Sequence, residues 1–513
     1  MSLHTVTIIA EPSATADAAS STRGVRRFSL GAAGLAVAWG TIAAVVYYAQ
    51  GLALSHYDAR AHLVVARRII DSLTPGWEQI GAVWLPLPHL LNMLPVQIDL
   101  LYRTGASGIA LSVASFGVAV FALTALILDA TGSRTAAGAA ALLFALNPNI
   151  LYLQSTPMTE PLLLALLMLA TWSLYRWTLD PAGWRRIAGW SLVGACLTRY
   201  ESFPFTGAAL VLAAVVRGAQ GHPPRDVLRE IGRLGLYPAL AIAAFMVHSR
   251  ITVGEWFVTG GFYVVDPTTQ GHALAVTAAI WWGASRLGSY ALIVSSLGAI
   301  IVLVRAAIQR RQPSVLVTLA LCAVVALPWY AFYQGHPFRI RYMVPVVAAA
   351  VACTGMALGF LRPGAQRLAA AAVLLGTLAT TRPFDSQAAM VREGTWDVAK
   401  TRAREIVTGC LAERNPNDVV LMSMGSLAHY MQNLSRAGYD IQDFIHEGNG
   451  NLWDEALRAP ADHVNWVVVE ERSEGGDIIA RRIGADPGYL REFARVCEAA
   501  GVALYRRQAR PTR

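Results

Sequence analysis

Residues 28–50 read FSLGAAGLAVAWGTIAAVVYYAQ, without a single charged side chain. A helix needs about 20 apolar residues to cross the hydrocarbon core of a bilayer, and this run is long enough. A signal peptide would show a shorter apolar core ending in a small-residue cleavage site, so the run is read as a retained first span. Immediately after it comes SHYDARAHLVVARRIIDSLTPGWEQIGAVWLPLPHLL (residues 55–91), dense in Asp, Arg and His. Charges next to a span need a reason, because they are costly wherever lipid can reach them.

The pattern recurs along the chain. Uncharged or nearly uncharged runs lie at 105–128, 135–153, 161–175, 187–198, 202–216, 234–249, 287–304, 314–333, 342–361 and 368–381. Together they predict about eleven spans. The two that flank TRYES (198–202) are short and cross only if the intervening charges sit inside protein. Composition agrees: 513 residues, 55% hydrophobic and 15% charged, with a mean hydropathy of +0.43. That excludes a soluble multidomain enzyme and predicts a polytopic α-helical membrane protein.

With a cytoplasmic N-terminus, the inner loops hold Arg23, Arg26, Arg27, Arg134, Arg176, Arg217 and Arg305 beside few acids, as the positive-inside rule requires. The outer loops mix Asp58, Asp71, Asp99, Glu160, Glu201 and Asp266 with arginines. The net charge of +9 is then a signature of topology and calls for no nucleic acid. Residues 1–27 read as a disordered cytoplasmic tail, 28–383 as the membrane domain and 384–513 as an outer domain.

In that last segment DVVLMSMG (418–425), VNWVVVEE (464–471) and VALYRR (502–507) have the apolar, β-branched character of strands. SLAHYMQNLSRAG (426–438) and DPGYLREFARVCEAAG (486–501) read as helices, giving a small C-terminal α/β domain. The Gly425-Ser426 turn could receive a phosphate, although no G-x-G-x-x-G is present and an ordinary turn is the simpler reading. Cys410 and Cys497 can form a disulfide in an oxidising compartment. Cys196, Cys322 and Cys353 lie in spans as small apolar residues.

Four segments could carry chemistry on the outer side. In YDARAHLVVARRIID (57–71), Asp58 and His62 share one helical face. Asp58 sits where the chain leaves the bilayer, and partial burial makes a carboxylate a better base. Arg67, Arg68 and Asp71 suit a solvated face as readily as a site. In TPMTEP (156–161), Thr159 can cap a helix begun by Pro161, and Glu160 is explained either by the helix dipole or by a place in the same site. In LTRYE (197–201), Arg199 and Glu201 could pair at a hairpin tip or line a cavity with Tyr200. In RIRYMVP (339–345), Arg339 and Arg341 sit on the outer side against the usual bias, and a guanidinium fork matches phosphate.

These four segments, in this order and on this side, resemble the GT-C glycosyltransferases, in the broad group of protein mannosyltransferases and aminoarabinose transferases. The resemblance covers residues 28–383 and extends to TPGWEQIGAVWLPLPHLL (74–91), which is similar to family-39-like bacterial members. It implies transfer of a sugar from a polyprenyl-phosphate donor to an acceptor hydroxyl of a protein, lipid or glycan, with inversion, at the outer face of a bacterial plasma membrane. By the same resemblance Asp58 is the expected catalytic base, with Glu160 as a second catalytic carboxylate. Arg60, Arg199, Arg339 and Arg341 are expected around the donor phosphate, and His62, Tyr200, Glu201 and Tyr342 around the substrate cavity. Protein mannosyltransferases usually carry Asp-Glu in the first loop, whereas Asp58 is followed here by Ala59. No cofactor is expected; a divalent cation, used by related oligosaccharyltransferases, is the less favoured alternative. A secondary transporter, or a non-catalytic protein of polysaccharide assembly, is the competing reading.

Overall fold

The computed structural model describes residues 14–258, 263–309, 311–396, 398–411, 418–471 and 477–508. Each of the eleven apolar runs is helical. Among the described residues, eight helices are long and apolar enough to cross a membrane: Arg23–Ala49, Ala106–Thr131, Glu160–Leu179, Ser202–Ala219, Pro224–Val253, Tyr290–Gln309, Pro313–Tyr333 and Ile340–Gly359. Shorter helices, Arg134–Ala145, Pro181–Cys196 and Pro363–Leu378, occupy the other runs. A further helix, Ala273–Gly288, lies in a stretch read as a loop. Its glycines explain its position, since Gly283 closes on Met343 and Phe338, and Gly288 on Val347.

The helices pack through small residues, as expected where lipid tails provide no hydrophobic drive between them. Gly355 and Gly359 lie four apart on the helix Val344–Gly359, and a Cβ on either would overlap Ala140, Ile127 or Thr131. Helix α1 (Ala14–Ala49) begins well before its apolar run. Residues 14–27, expected within a disordered tail, are therefore helical, and residues 1–13 lie outside the described part.

The C-terminal domain contains a five-stranded sheet in the order β2-β1-β3-β5-β4. Strands β1 (Val420–Met422), β2 (Phe444–Ile445) and β3 (Trp466–Glu470) are parallel, whereas β4 (Phe493–Ala499) and β5 (Val502–Arg507) form an antiparallel hairpin. The stretch expected as a helix over 486–501 instead holds turns and, from Phe493 to Ala499, an edge strand. Ala500 and Gly501 both take positive φ (49° and 82°), the two-residue turn that matches strand twist. Cys497 on β4 is joined to Cys410 by a disulfide. Gly425 and Ser426 lie in the first turn of the helix Met424–Leu434, whose N-terminus is filled from within: Glu447 accepts from the Met424 amide at 2.7 Å and bonds the Ser423 hydroxyl.

This domain sits on the charged loop that follows the first span, and the loop's charges belong largely to that contact. Helix α2 (Tyr57–Arg68) is buried along most of its length. Arg67, 5% exposed, binds Asp71, Asp99 and Asp440 at 2.7, 2.8 and 2.9 Å. Asp71 in turn accepts from the amides of Ile441 and Gln442, and Gln79 donates to the Gly448 carbonyl at 2.7 Å. Arg67 and Asp71 therefore form a seam with the C-terminal domain and not a solvated face, and Arg68, also buried, bonds the Gln79 carbonyl.

Candidate active site

The site is built from α2, which follows the first long apolar helix, and from the breaks that lead into later ones. His56 caps α2, its Nδ1 accepting from the Asp58 amide at 3.1 Å. The proton of that ring then lies on Nε2, which faces Glu393 Oε1 at 3.4 Å. Asp58, in the first turn of α2, is ion-paired with Arg341 Nη1. Arg341 belongs to a 3-10 turn (Ile340–Met343) that leads into the helix Val344–Gly359, and its Nε lies 3.9 Å from Glu393 Oε1. Burial alone would raise the Asp58 carboxyl, but the Arg341 guanidinium beside it holds it well below the usual carboxylate range.

Arg199 forms the second half. It lies in the break between the helices Pro181–Cys196 and Ser202–Ala219. Its Nη1 is 2.9 Å from Glu160 Oε1 and donates to Thr159 Oγ1 at 3.0 Å, while Nη2 donates to Glu201 Oε1 at 2.9 Å. Thr159 precedes the helix but makes no side-chain cap; its hydroxyl serves Arg199 instead. The ring of Tyr342 joins the two halves, with the guanidinium carbons of Arg199 and Arg341 at 5.8 and 5.7 Å from its centre.

Four carboxylates thus face two guanidiniums in a buried cluster. Several of its atoms are poorly satisfied. Glu160 Oε1 and Arg341 Nε and Nη1 lie within ion-pair reach of partners but make no aligned hydrogen bond, and Glu160 Oε2 and Glu393 Oε2 make none either. Buried polar atoms are nearly always bonded, so this concentration marks the cluster as built for more than packing. A cavity of about 20 Å³ adjoins it, lined in part by His62, His89, Ser112 and Thr159. That is room for a single water.

The expected residues separate as follows. Asp58, Glu160, Arg199, Arg341, Glu201 and Tyr342 come together. His62 lines the adjoining cavity. Arg339 stands at the entry to the 3-10 turn, two residues before Arg341. Arg60 donates to the Leu54 carbonyl and to Gln432 of the C-terminal domain at 2.8 Å each. Tyr200 leaves the cluster for an aromatic group with Phe203, Phe245 and Phe257, its hydroxyl on the Ala82 carbonyl. Glu393, His56 and His89 had not been anticipated. Glu393 lies beyond the last apolar run, in a segment read as another domain; the i, i+2 spacing of His56 and Asp58 was the one visible signal.

Four of the buried histidines, His62, His89, His429 and His446, have imidazoles that burial holds neutral, His89 down to about 3. A folded-state value below the unfolded one means stability that is full above about pH 6.5 and falls as the pH drops, because only the unfolded chain takes up protons. For His89 alone the loss between pH 6.5 and 5.5 is roughly 1 kcal/mol, and the other three act in the same direction. The unfolding temperature is expected to fall over that interval; a flat profile would show these rings to be protonated or exposed.

By its fold the chain is a polytopic membrane protein of the GT-C type with a small C-terminal α/β domain. Two solved structures share that fold: ArnT from Cupriavidus metallidurans bound to undecaprenyl phosphate (TM-score 0.59, 11% identity, covering 92% of this chain and 98% of that one), and the same protein in the apo state (TM-score 0.58, 13% identity, covering 93% and 98%). No protein-family model and no curated protein matches the chain. At such identity the likeness is one of architecture, and function has to be argued from the site.

Proposed function

We propose that the protein is a membrane glycosyltransferase that moves a sugar from a polyprenyl-phosphate donor to an acceptor hydroxyl, with inversion, on the outer face of a bacterial plasma membrane. The observation that carries this reading is the buried pairing of Asp58 with Arg341 and of Arg199 with Glu160 and Glu201, at the outer ends of membrane helices in a GT-C fold. The bound lipid of the fold neighbour, undecaprenyl phosphate, supports the choice of donor class.

In this reading the donor phosphate competes with the carboxylates for Arg341 and Arg199, and Arg339 adds charge at the entrance. The guanidiniums then stabilise the phosphate as it leaves with the bonding electron pair. Asp58, released from Arg341, supports deprotonation of the acceptor. The N-terminus is cytoplasmic, the outer domain covers the site, and no metal takes part.

The test is binding of undecaprenyl phosphate by the full-length protein in detergent. At a hundredfold excess over its dissociation constant the lipid adds about 2.7 kcal/mol of stability. A rise in unfolding temperature that disappears in Arg199→Gln is expected. No rise, or an equal rise in the variant, would remove the phosphate role of the cluster.

A further inference from the structure

Each of the four carboxylates of the site lies within ion-pair reach of a guanidinium. The neighbouring histidine pair is different, and its protons can be placed. His89 Nδ1 lies 3.2 Å from the Leu85 carbonyl, which can only accept, so His89 carries its proton on Nδ1. Neutral His89 then has its lone pair on Nε2. The 3.0 Å contact from that atom to His62 Nδ1 therefore makes His62 the donor. What remains on His62 is the Nε2 lone pair, with no hydrogen-bond partner among the described residues. The ring is held against Trp84, with 4.3 Å between ring centres, and borders the small cavity shared with Thr159.

We infer that His62 Nε2 takes the proton of the acceptor hydroxyl, with Asp58, one helical turn before it, stabilising the imidazolium that forms. This rests on the transferase reading. In the step, the acceptor oxygen bonds to the anomeric carbon and the carbon–oxygen bond to phosphate breaks. The electron pair leaves with the polyprenyl phosphate, and the hydroxyl proton passes to His62 Nε2 and later to solvent.

The surrounding charges make this conditional on the donor. The charged and titratable groups facing His62 are Asp58 on its own helix, and His89, Arg199 and Arg341 from other elements. The two guanidiniums oppose protonation, and Asp58 is tied to one of them. A phosphate bound by the arginines offsets their field and frees Asp58 to face the ring. His62 is thus a poor base before the donor arrives and a better one afterwards, which guards against loss of the proton without reaction.

Nitrogen NMR of histidine-labelled full-length protein tests this, with signals assigned through His62→Gln and, independently, His89→Gln. Without lipid, both rings are expected neutral with the proton on Nδ1, the minor form of free histidine. A proton on His62 Nε2, or an imidazolium at pH 7, would overturn the assignment. With undecaprenyl phosphate added, the titration midpoint of His62 is expected to rise, and to rise less in Asp58→Asn. If the lipid binds and the midpoint stays, the role of His62 falls alone; if the lipid does not bind, the transferase reading falls and this role with it. Once a donor is known, His62→Gln is expected to lower kcat roughly 10²–10⁴-fold while the donor KM stays within a few-fold; a loss confined to KM would leave His62 a binding residue only.

Discussion

Replacing Asp58 by Asn is expected to lower the rate of sugar transfer about 10²–10⁴-fold, the range typical for loss of a proton-transfer group. The change keeps the shape of the side chain and removes its charge. Arg341 loses its ion-pair partner, and a protonated His62 loses the nearest carboxylate on its own helix. Donor binding should survive, because the guanidiniums remain and one competitor for them is gone. The check is the initial rate in membranes holding equal amounts of folded wild-type and variant protein. Equal rates would mean that Asp58 does no more than hold Arg341 in place.

Removing Arg341 is expected to act on stability as well as on activity. Arg341→Ala leaves Asp58, 9% exposed, and Glu393, 6% exposed, without their shared cation. Breaking a buried pair from one side typically costs about 3–5 kcal/mol, because a charge is left uncompensated. The double variant Arg341→Ala/Asp58→Ala removes that orphan and should recover part of the loss, and thermal unfolding of the two variants measures the difference. Recovery identifies the penalty with the stranded carboxylate; equal losses would assign it to packing around Tyr342.

Much of this architecture is legible in the sequence, because a bilayer demands long apolar runs and punishes charge. Those demands place the helices, and they single out Asp58, Glu160, Arg199 and Arg341 as charges that lipid would not tolerate without a purpose. What the sequence hides is which charges meet. Arg60 is as close along the chain to Asp58 as His56 is, yet it faces the opposite way, toward Gln432. Arg67 and Asp71 looked fit for water because the domain that buries them lies more than three hundred residues further on. Glu393 was passed over for the same reason: it returns to the site from beyond the last apolar run.

The C-terminal domain illustrates a different limit. FARVCEA is made largely of residues common in helices, and local preference favours one. Its pairing with β5 and the disulfide to Cys410 decide for a strand, and neither can be seen in a local window. The Gly425-Ser426 turn has the look of a phosphate loop until the position of Glu447 is known.

The most direct test of the central claim is transfer of labelled sugar from a panel of polyprenyl-phosphate sugars, in EDTA-treated membranes containing the wild-type protein or Asp58→Asn. The account predicts that the wild type consumes one donor and releases polyprenyl phosphate in equal amount, while the variant, folded and equally abundant, does so at least a hundredfold more slowly. If the folded wild type consumes none of the donors, or if the variant consumes one just as fast, the cluster built on Asp58 and Arg341 is not a glycosyl-transfer site.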